Sequence, residues 1–526
     1  MTTGTTVTTD RLLPASLSPE RIRDLLAVVR GGGAPIDVVM PFTGKTWLEL
    51  PSATPADLDA AAAEARVAQL AWAATDPAER AAVLLRMHDA VLDHADALMD
   101  VIQAETGKAR AHAFEEIADV ANACRYYGRT APAVLTAQKR TGAFPLLTRT
   151  TERRHPLGVV GLITPWNYPF TLGVGDALPA LVAGNAVLHK PDSQTVLTTL
   201  AGRELAVDAG LPPALWQVVV GDGPVVGPQV IDRADHVSFT GSTATGRVVA
   251  RQAGERLIEA SLELGGKNAM IVCADAKLGK AVAGAVRGSF SSAGQLCISI
   301  ERIYVERSIA EEFTRKFVAA VSALSLGAGF DYRADIGSLT SAAQLARVTG
   351  DVDDAVASGA RVLVGGKPRP DLGPYFFEPT VLADVPPHAR CHGGETFGPV
   401  VAIYPVADEE AAIAAANDSP YGLNASVWTA DTKRGRRIAE RLQAGTVNIN
   451  EAYGAAWGSI DAPMGGWGDS GLGRRHGLDG LLSTTWSQTV AVQRVWPVGE
   501  RGALRGKRYQ SAMIRSLRAL KASRRR

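Results

Sequence analysis

His236-Val237-Ser238-Phe239-Thr240-Gly241-Ser242-Thr243-Ala244-Thr245-Gly246 reads as a strand that runs into the first turn of a helix. The leading residues are apolar, aromatic and β-branched, as strands favour. Ser242 is of the type that caps a helix N-terminus. A helix opening at the end of a strand presents backbone N–H groups to an anion such as a pyrophosphate. Ser, Thr and Gly also cap helices with no ligand involved, and the segment is not the GxGxxG fingerprint. Similar apolar runs stand nearby: Val159-Val160-Gly161-Leu162-Ile163, Ala186-Val187-Leu188 and residues 216–220, with helical spacing between them. That alternation predicts βαβ units and a parallel sheet. A second α/β block begins at Asn268-Ala269-Met270-Ile271-Val272, includes Arg302-Ile303-Tyr304-Val305 and continues to about residue 460. Upstream, residues 55–128 read as helices, with apolar periodicity over 58–74 and 78–99.

The chain has 526 residues, room for about three domains, and its 46% hydrophobic and 21% charged content is that of a globular protein. A net charge of +1 gives no reason to expect a nucleic-acid partner. The cysteines, Cys124, Cys273, Cys297 and Cys391, have neither CxxC nor metal-ligand spacing, so neither a disulfide framework nor a metal is expected, and a reducing, cytoplasmic setting fits. Residues 1–10 are Thr-rich without an apolar core, unlike a secretory signal. No run of 18 apolar residues is long enough to span a bilayer. Residues 501–526 carry ten Lys/Arg and no acid, leaving 45 basic against 54 acidic residues, net −9, in the rest. With Met513, Ile514, Leu517 and Leu520 at helical spacing, this tail reads as a solvated extension, a helix docked on the body, or a contact for anionic lipid or nucleic acid.

Cys297 lies in Gly294-Gln295-Leu296-Cys297-Ile298-Ser299, 34 residues after Glu263 of Glu263-Leu264-Gly265-Gly266-Lys267. A thiolate attacks carbonyl carbon, and a carboxylate can take a proton from the thiol or from water. Taken singly, a cysteine is more often a small buried hydrophobe and a glutamate a solvated charge. Further motifs stand in order around them. They are Thr164-Pro165-Trp166-Asn167-Tyr168-Pro169, His189-Lys190-Pro191-Asp192-Ser193, Glu395-Thr396-Phe397-Gly398-Pro399-Val400 and Pro463-Met464-Gly465-Gly466.

Together these motifs closely resemble the aldehyde dehydrogenase superfamily over residues 39–492, and most of all its actinobacterial NADP-type succinate-semialdehyde dehydrogenases. The resemblance implies an aldehyde-dehydrogenase-like α/β fold: two parallel-sheet α/β domains plus a small β oligomerisation arm. A dinucleotide-binding domain would take 1–135 and 157–265, a catalytic domain 266–470, the arm 136–156 and 480–497, and the basic tail 498–526. A homodimer or homotetramer is implied, since an exposed edge strand needs cover.

By the same resemblance Cys297 is the nucleophile, forming a thiohemiacetal and then a thioester, and Glu263 is the general base for the hydrolytic water. Asn167 and the Cys297 backbone N–H would donate to the oxyanion. The cofactor would meet Thr164, Pro165, Trp166, Lys190, Ser193, Gly223, Gly241, Ser242, Thr245, Leu264, Glu395 and Phe397. Many NAD-using relatives carry an acid three residues after the cofactor lysine, where this chain has Ser193; that implies NADP as the preferred cofactor, with NAD second.

The chain departs from the family pattern elsewhere. The two arginines with which better-known succinate-semialdehyde enzymes grip the substrate carboxylate are here Gly175 and Ser291. A second cysteine two residues after the nucleophile is Ser299, and the acid of Gly-Arg-Glu is Arg475. Arg474 or Arg475 is thereby open to an anion-binding role or a surface role. The expected activity is oxidation of succinate semialdehyde. The alternatives are a broad aliphatic or aromatic aldehyde dehydrogenase and, in another class, a thioester-forming acyl-transferase or hydrolase without a redox cofactor.

Overall fold

The computed structural model describes residues 13–144, 147–494 and 498–522. The Thr-rich segment 1–10 and the last four residues of the basic tail lie outside them, as do 145–146 and 495–497 of the expected arm.

The first sheet has six strands in the order Gly471–Leu472, Glu259–Glu263, His236–Thr240, Val159–Thr164, Ala186–Pro191, Trp216–Val218. All neighbours pair in parallel except the first two. The strand order reverses between Val159–Thr164 and His236–Thr240, so a crevice opens at the carboxyl ends of these two strands, where open α/β sheets bind ligands. Burial on both faces accounts for the continuous apolar runs at 159–163 and 186–188.

The second sheet has seven strands, Arg361–Val364, Thr380–Ala383, Val400–Val406, Ile300–Glu306, Asn268–Val272, Asn424–Trp428 and Thr446–Ile449, parallel but for the first pair. A third sheet joins Thr485–Gln493 to Thr148–Pro156 and that strand to Gln138–Arg140, all antiparallel. The two stretches expected to form the arm, 136–156 and 480–497, therefore pair with each other. The expected fold class, two parallel α/β sheets and a small β arm, is the one observed.

Helices Pro55–Ala73 and Pro77–Asp93 lie in the expected helical region and open on Thr54 and Asp76 as N-caps, with Pro at the first position. The periodicity over 78–99 is not one helix: the chain breaks at His94 and resumes as Ala95–Thr106, because His94 leaves helical geometry to end one helix and open the next. A hairpin, Pro35–Met40 with Lys45–Pro51, precedes these helices and was not expected. No described helix is long and apolar enough to cross a membrane, and the described residues hold no metal-ligand cluster. The basic tail forms a helix, Lys507–Ala522, with no buried residue.

Candidate active site

A cleft of about 180 Å³ lies at the carboxyl-end crevice of the first sheet. Cys297 and Glu263 both line it, with Pro165, Trp166 and Asn167 on one side and Gly241, Ser242 and Leu264 on another. Glu395 and Phe397 come in from the second sheet's side, and the Phe397 ring meets Trp166 edge-on at 5.6 Å between centroids. Ten of the residues singled out in the sequence thus share one cavity.

The others lie along the same sheet edge. Thr164 ends its strand opposite Pro191 and shares a 2.8 Å hydrogen bond with His189. Lys190 is buried at the end of the next strand and makes no ion pair among the described residues. Burial pushes its pKa down, and the Asp192 and Asp222 carboxylates pull it up. Ser193 donates to the Gly221 carbonyl at 3.1 Å, which brings the start of the Gly223–Arg233 helix beside it. Thr245 donates its backbone N–H to Ser242 Oγ, the N-cap of the Thr243–Glu255 helix. A dinucleotide fits this arrangement: helix N-termini for phosphates, a buried ammonium and a neutral hydroxyl on one edge, and an aromatic wall by the thiol.

The turn before Cys297 is held in an uncommon conformation. Ser292 and Ala293 have φ of 52° and 54°, and Gly294 follows at 69°. Non-glycine residues rarely enter this region. A Cβ at Gly294 would stand 2.0 Å from the Gly398 carbonyl oxygen, so the cysteine turn packs backbone to backbone on the Glu395–Gly398 loop. Gly265 and Gly266 have a similar reason. Added Cβ atoms would meet Glu395 Oε2 at 2.6 Å and the Cys297 carbonyl at 2.8 Å. The Glu395 carboxylate accepts from Gly266 N at 2.8 Å.

Several supports were not legible in the sequence. Lys108, fully buried, donates to Glu116 Oε1 at 2.5 Å and to the Asn167 carbonyl at 2.7 Å. Glu116 accepts in turn from the backbone N–H groups of Phe170 and Thr171. The Asn167 amide donates one proton to the Gln295 carbonyl at 3.0 Å, two residues before Cys297; its NH₂ group has a second. Glu301, paired with Lys267, accepts from the N–H groups of Thr396 and Phe397 and so pins the Glu395 loop. Arg347 lines the cleft and donates to the Glu395 carbonyl.

Burial pushes the Cys297 thiol up to about 12, reinforced by the Glu263 and Glu395 carboxylates and opposed by Arg475. Burial also raises the Glu263 carboxyl to about 8, with Arg475 pulling it down and Asp176 pushing it up. Glu395 rises to about 7, by burial and by Glu301. Arg475 is committed to Asp176, to which Nη2 donates at 2.6 Å, and so is not a free anion grip. Arg474 turns its Nη1 to the Gly466 and Gly473 carbonyls.

The chain belongs to the aldehyde dehydrogenase family, whose model matches residues 28–490. It is 55% identical over 480 residues to the Mycobacterium tuberculosis protein called "Putative succinate-semialdehyde dehydrogenase", a name that specifies NADP(+), covering 91% of this chain and 92% of that one. To a Mycolicibacterium smegmatis protein of similar name it is 51% identical over 510 residues, covering 96% and 98%. Among solved structures it is similar to betaine aldehyde dehydrogenase from Staphylococcus aureus in complex with NAD+, at 32% identity and a TM-score of 0.83, covering 89% of this chain and 94% of the other.

Proposed function

We propose that this chain oxidises succinate semialdehyde to succinate with NADP as preferred cofactor, and does so with modest selectivity over uncharged aliphatic aldehydes. The observation that carries the reading is the meeting of Cys297, Glu263 and Asn167 at one cleft on the carboxyl-end crevice, in a chain half identical to proteins of that name.

Cys297 Sγ attacks the aldehyde carbon and its proton passes to Glu263. The thiol stands at about 12 and the carboxyl at about 8, so once Glu263 is ionised the shared proton rests on sulfur, and its transfer accompanies attack. The Asn167 amide and the Cys297 N–H stabilise the oxyanion. The dinucleotide, when bound, would supply a two-electron acceptor for the hydride. Glu263 gives up that proton to solvent and then takes one from water, whose oxygen attacks the thioester carbon; the acid departs and the leaving thiolate regains a proton from Glu263. Lys190 and Ser193 receive the 2′-phosphate, Gly241, Ser242, Thr245 and Gly223 the helix-end phosphates, and Thr164, Pro165, Trp166, Leu264, Glu395 and Phe397 the nicotinamide half. An acyl-transferase or hydrolase would have no use for this second set.

The modest selectivity follows from Gly175 and Ser291, which bring no charge to the substrate carboxylate. Assembly as a homodimer or homotetramer is part of the proposal, supported by the edge strand Thr485–Gln493 with Trp486 and Val492 exposed. So is a reducing, cytoplasmic setting, which suits the four free cysteines. A panel of aldehydes read by reduced-cofactor absorbance tests the activity. Turnover of succinate semialdehyde that is lost in Cys297→Ser supports it; no turnover of any aldehyde overturns it.

A further inference from the structure

At the far side of the apolar cluster against which Cys297 packs lies a polar knot that the proposed mechanism does not use. The cluster contains Tyr168, Leu172, Tyr453 and Met464, with Trp457 at its edge. Tyr168 directly follows Asn167, and Leu296 and Ile298, on either side of Cys297, belong to the same cluster, so the cluster is continuous with the site. At its end the Glu115 carboxylate is surrounded by donors. Tyr453 Oη lies 3.0 and 3.2 Å from its two oxygens, Arg287 Nη2 donates at 3.2 Å, and Tyr168 Oη stands at 3.5 Å. Tyr453 Oη also reaches Ser291 Oγ at 2.8 Å, and Arg287 lies over the Tyr453 ring at 5.0 Å. Arg287 stands one helical turn before Ser291, whose hydroxyl donates to the Arg287 carbonyl.

Two phenols and a guanidinium converging on a carboxylate make a cradle for an organic anion. It lies beside Ser291, one of the two positions where an arginine is missing. Its present occupant belongs to the chain. We propose that Glu115 is the specificity-determining residue of the aldehyde pocket: its carboxylate fills the anion cradle of Tyr453, Arg287 and Tyr168, and thereby competes with the carboxylate of an acidic aldehyde. Glu451, 3.4 Å from Arg287 Nη1, adds a second negative charge to the single guanidinium. An incoming substrate carboxylate must displace Glu115 or stand beside two like charges. An uncharged aldehyde meets only the aromatic wall. The inference rests on the reading of the cleft as an aldehyde site and gives a physical cause for its modest selectivity.

The test is equilibrium binding of succinate to the full-length protein by calorimetry, which requires no turnover. Glu115→Gln keeps the shape and removes the charge, so succinate binds about tenfold tighter than to the wild type, and Glu115→Ala moves the same way. Adding Arg287→Met to Glu115→Gln abolishes the gain. In turnover, Glu115→Gln raises the ratio of kcat/KM for succinate semialdehyde to that for butanal by a similar factor. Unchanged or weaker succinate affinity in both Glu115 variants, or no measurable binding in any of them, overturns the inference. Failure of the wild type to oxidise either aldehyde overturns the proposed function instead, and leaves the binding experiment to decide on Glu115.

Discussion

Arg475 donates to Asp176 Oδ1 through Nη2 at 2.6 Å and through Nε at 3.1 Å, and both side chains are about nine-tenths buried. The two residues are 299 positions apart in the chain. Their charges act on Glu263 in opposite senses: the guanidinium lowers its pKa and the Asp176 carboxylate raises it. The residue that replaces an acid in the family pattern is therefore not idle. It is a fixed cation that keeps the proposed base from rising further.

A pH dependence follows from this pairing. Glu263 acts as base only when ionised, and its carboxyl stands near 8, so thioester hydrolysis should increase as pH rises through about 8. Arg475→Met removes the cation and leaves Asp176 uncompensated. The rising limb of kcat should then move upward by roughly one pH unit, while Arg475→Lys restores most of the wild-type profile. Superimposable profiles for wild type and Arg475→Met would remove Arg475 from the account.

Asn167→Ala should lower kcat by about 10²–10³, the usual effect of losing one oxyanion donor. Cofactor binding should be retained, since Asn167's amide bonds to Gln295 and not to the helix N-termini. Steady-state kinetics and a cofactor titration on the same preparation check both parts. A fall confined to KM would place the amide in substrate binding alone.

Lys108→Met should destabilise the fold by about 3–5 kcal/mol, because it strands the buried Glu116 carboxylate without its partner. Both side chains are almost wholly inaccessible. The Asn167 carbonyl also loses its 2.7 Å donor, so kcat should fall with stability. Thermal unfolding and kinetics at low temperature separate the two effects. An unchanged melting temperature would show that the pair is not the anchor of this loop.

Ser193→Glu should reverse the cofactor preference from NADP to NAD. It sets an anion where the 2′-phosphate is received and leaves the Gly221 carbonyl without its 3.1 Å donor. The ratio of kcat/KM for the two cofactors in wild type and variant is the measurement. A wild type that uses both equally would mean that Lys190 and Ser193 do not receive the phosphate.

The sequence carried the sheets well, because both faces are covered and strands such as Asn268–Val272 are apolar throughout. It carried the helical content of 55–128, where apolar periodicity is local, but not the caps at Thr54 and Asp76. It did not carry the break at His94, which has no proline or glycine to announce it. Nor did it carry the left-handed turn at Ser292 and Ala293, residues whose intrinsic preferences point elsewhere. The need for glycine at 265 and 266 comes from the close approach of Glu395 and the Cys297 carbonyl, which tertiary packing sets. Pairings such as Arg475 with Asp176, Lys108 with the Asn167 carbonyl, and Glu115 with Tyr453 join distant segments and leave no periodic or local trace.

The central claim is that Cys297 carries the acyl group and Glu263 activates the water that releases it. Mass analysis of Glu263→Gln, quenched after mixing with succinate semialdehyde and NADP, tests it most directly. An amide cannot take a proton from water, so the acyl-enzyme should accumulate. The account predicts a stoichiometric succinyl adduct on the Cys297 peptide, formed together with a burst of reduced cofactor and lost only slowly. Reduced cofactor formed in a burst with Cys297 unmodified, or an adduct on any other residue, would contradict it.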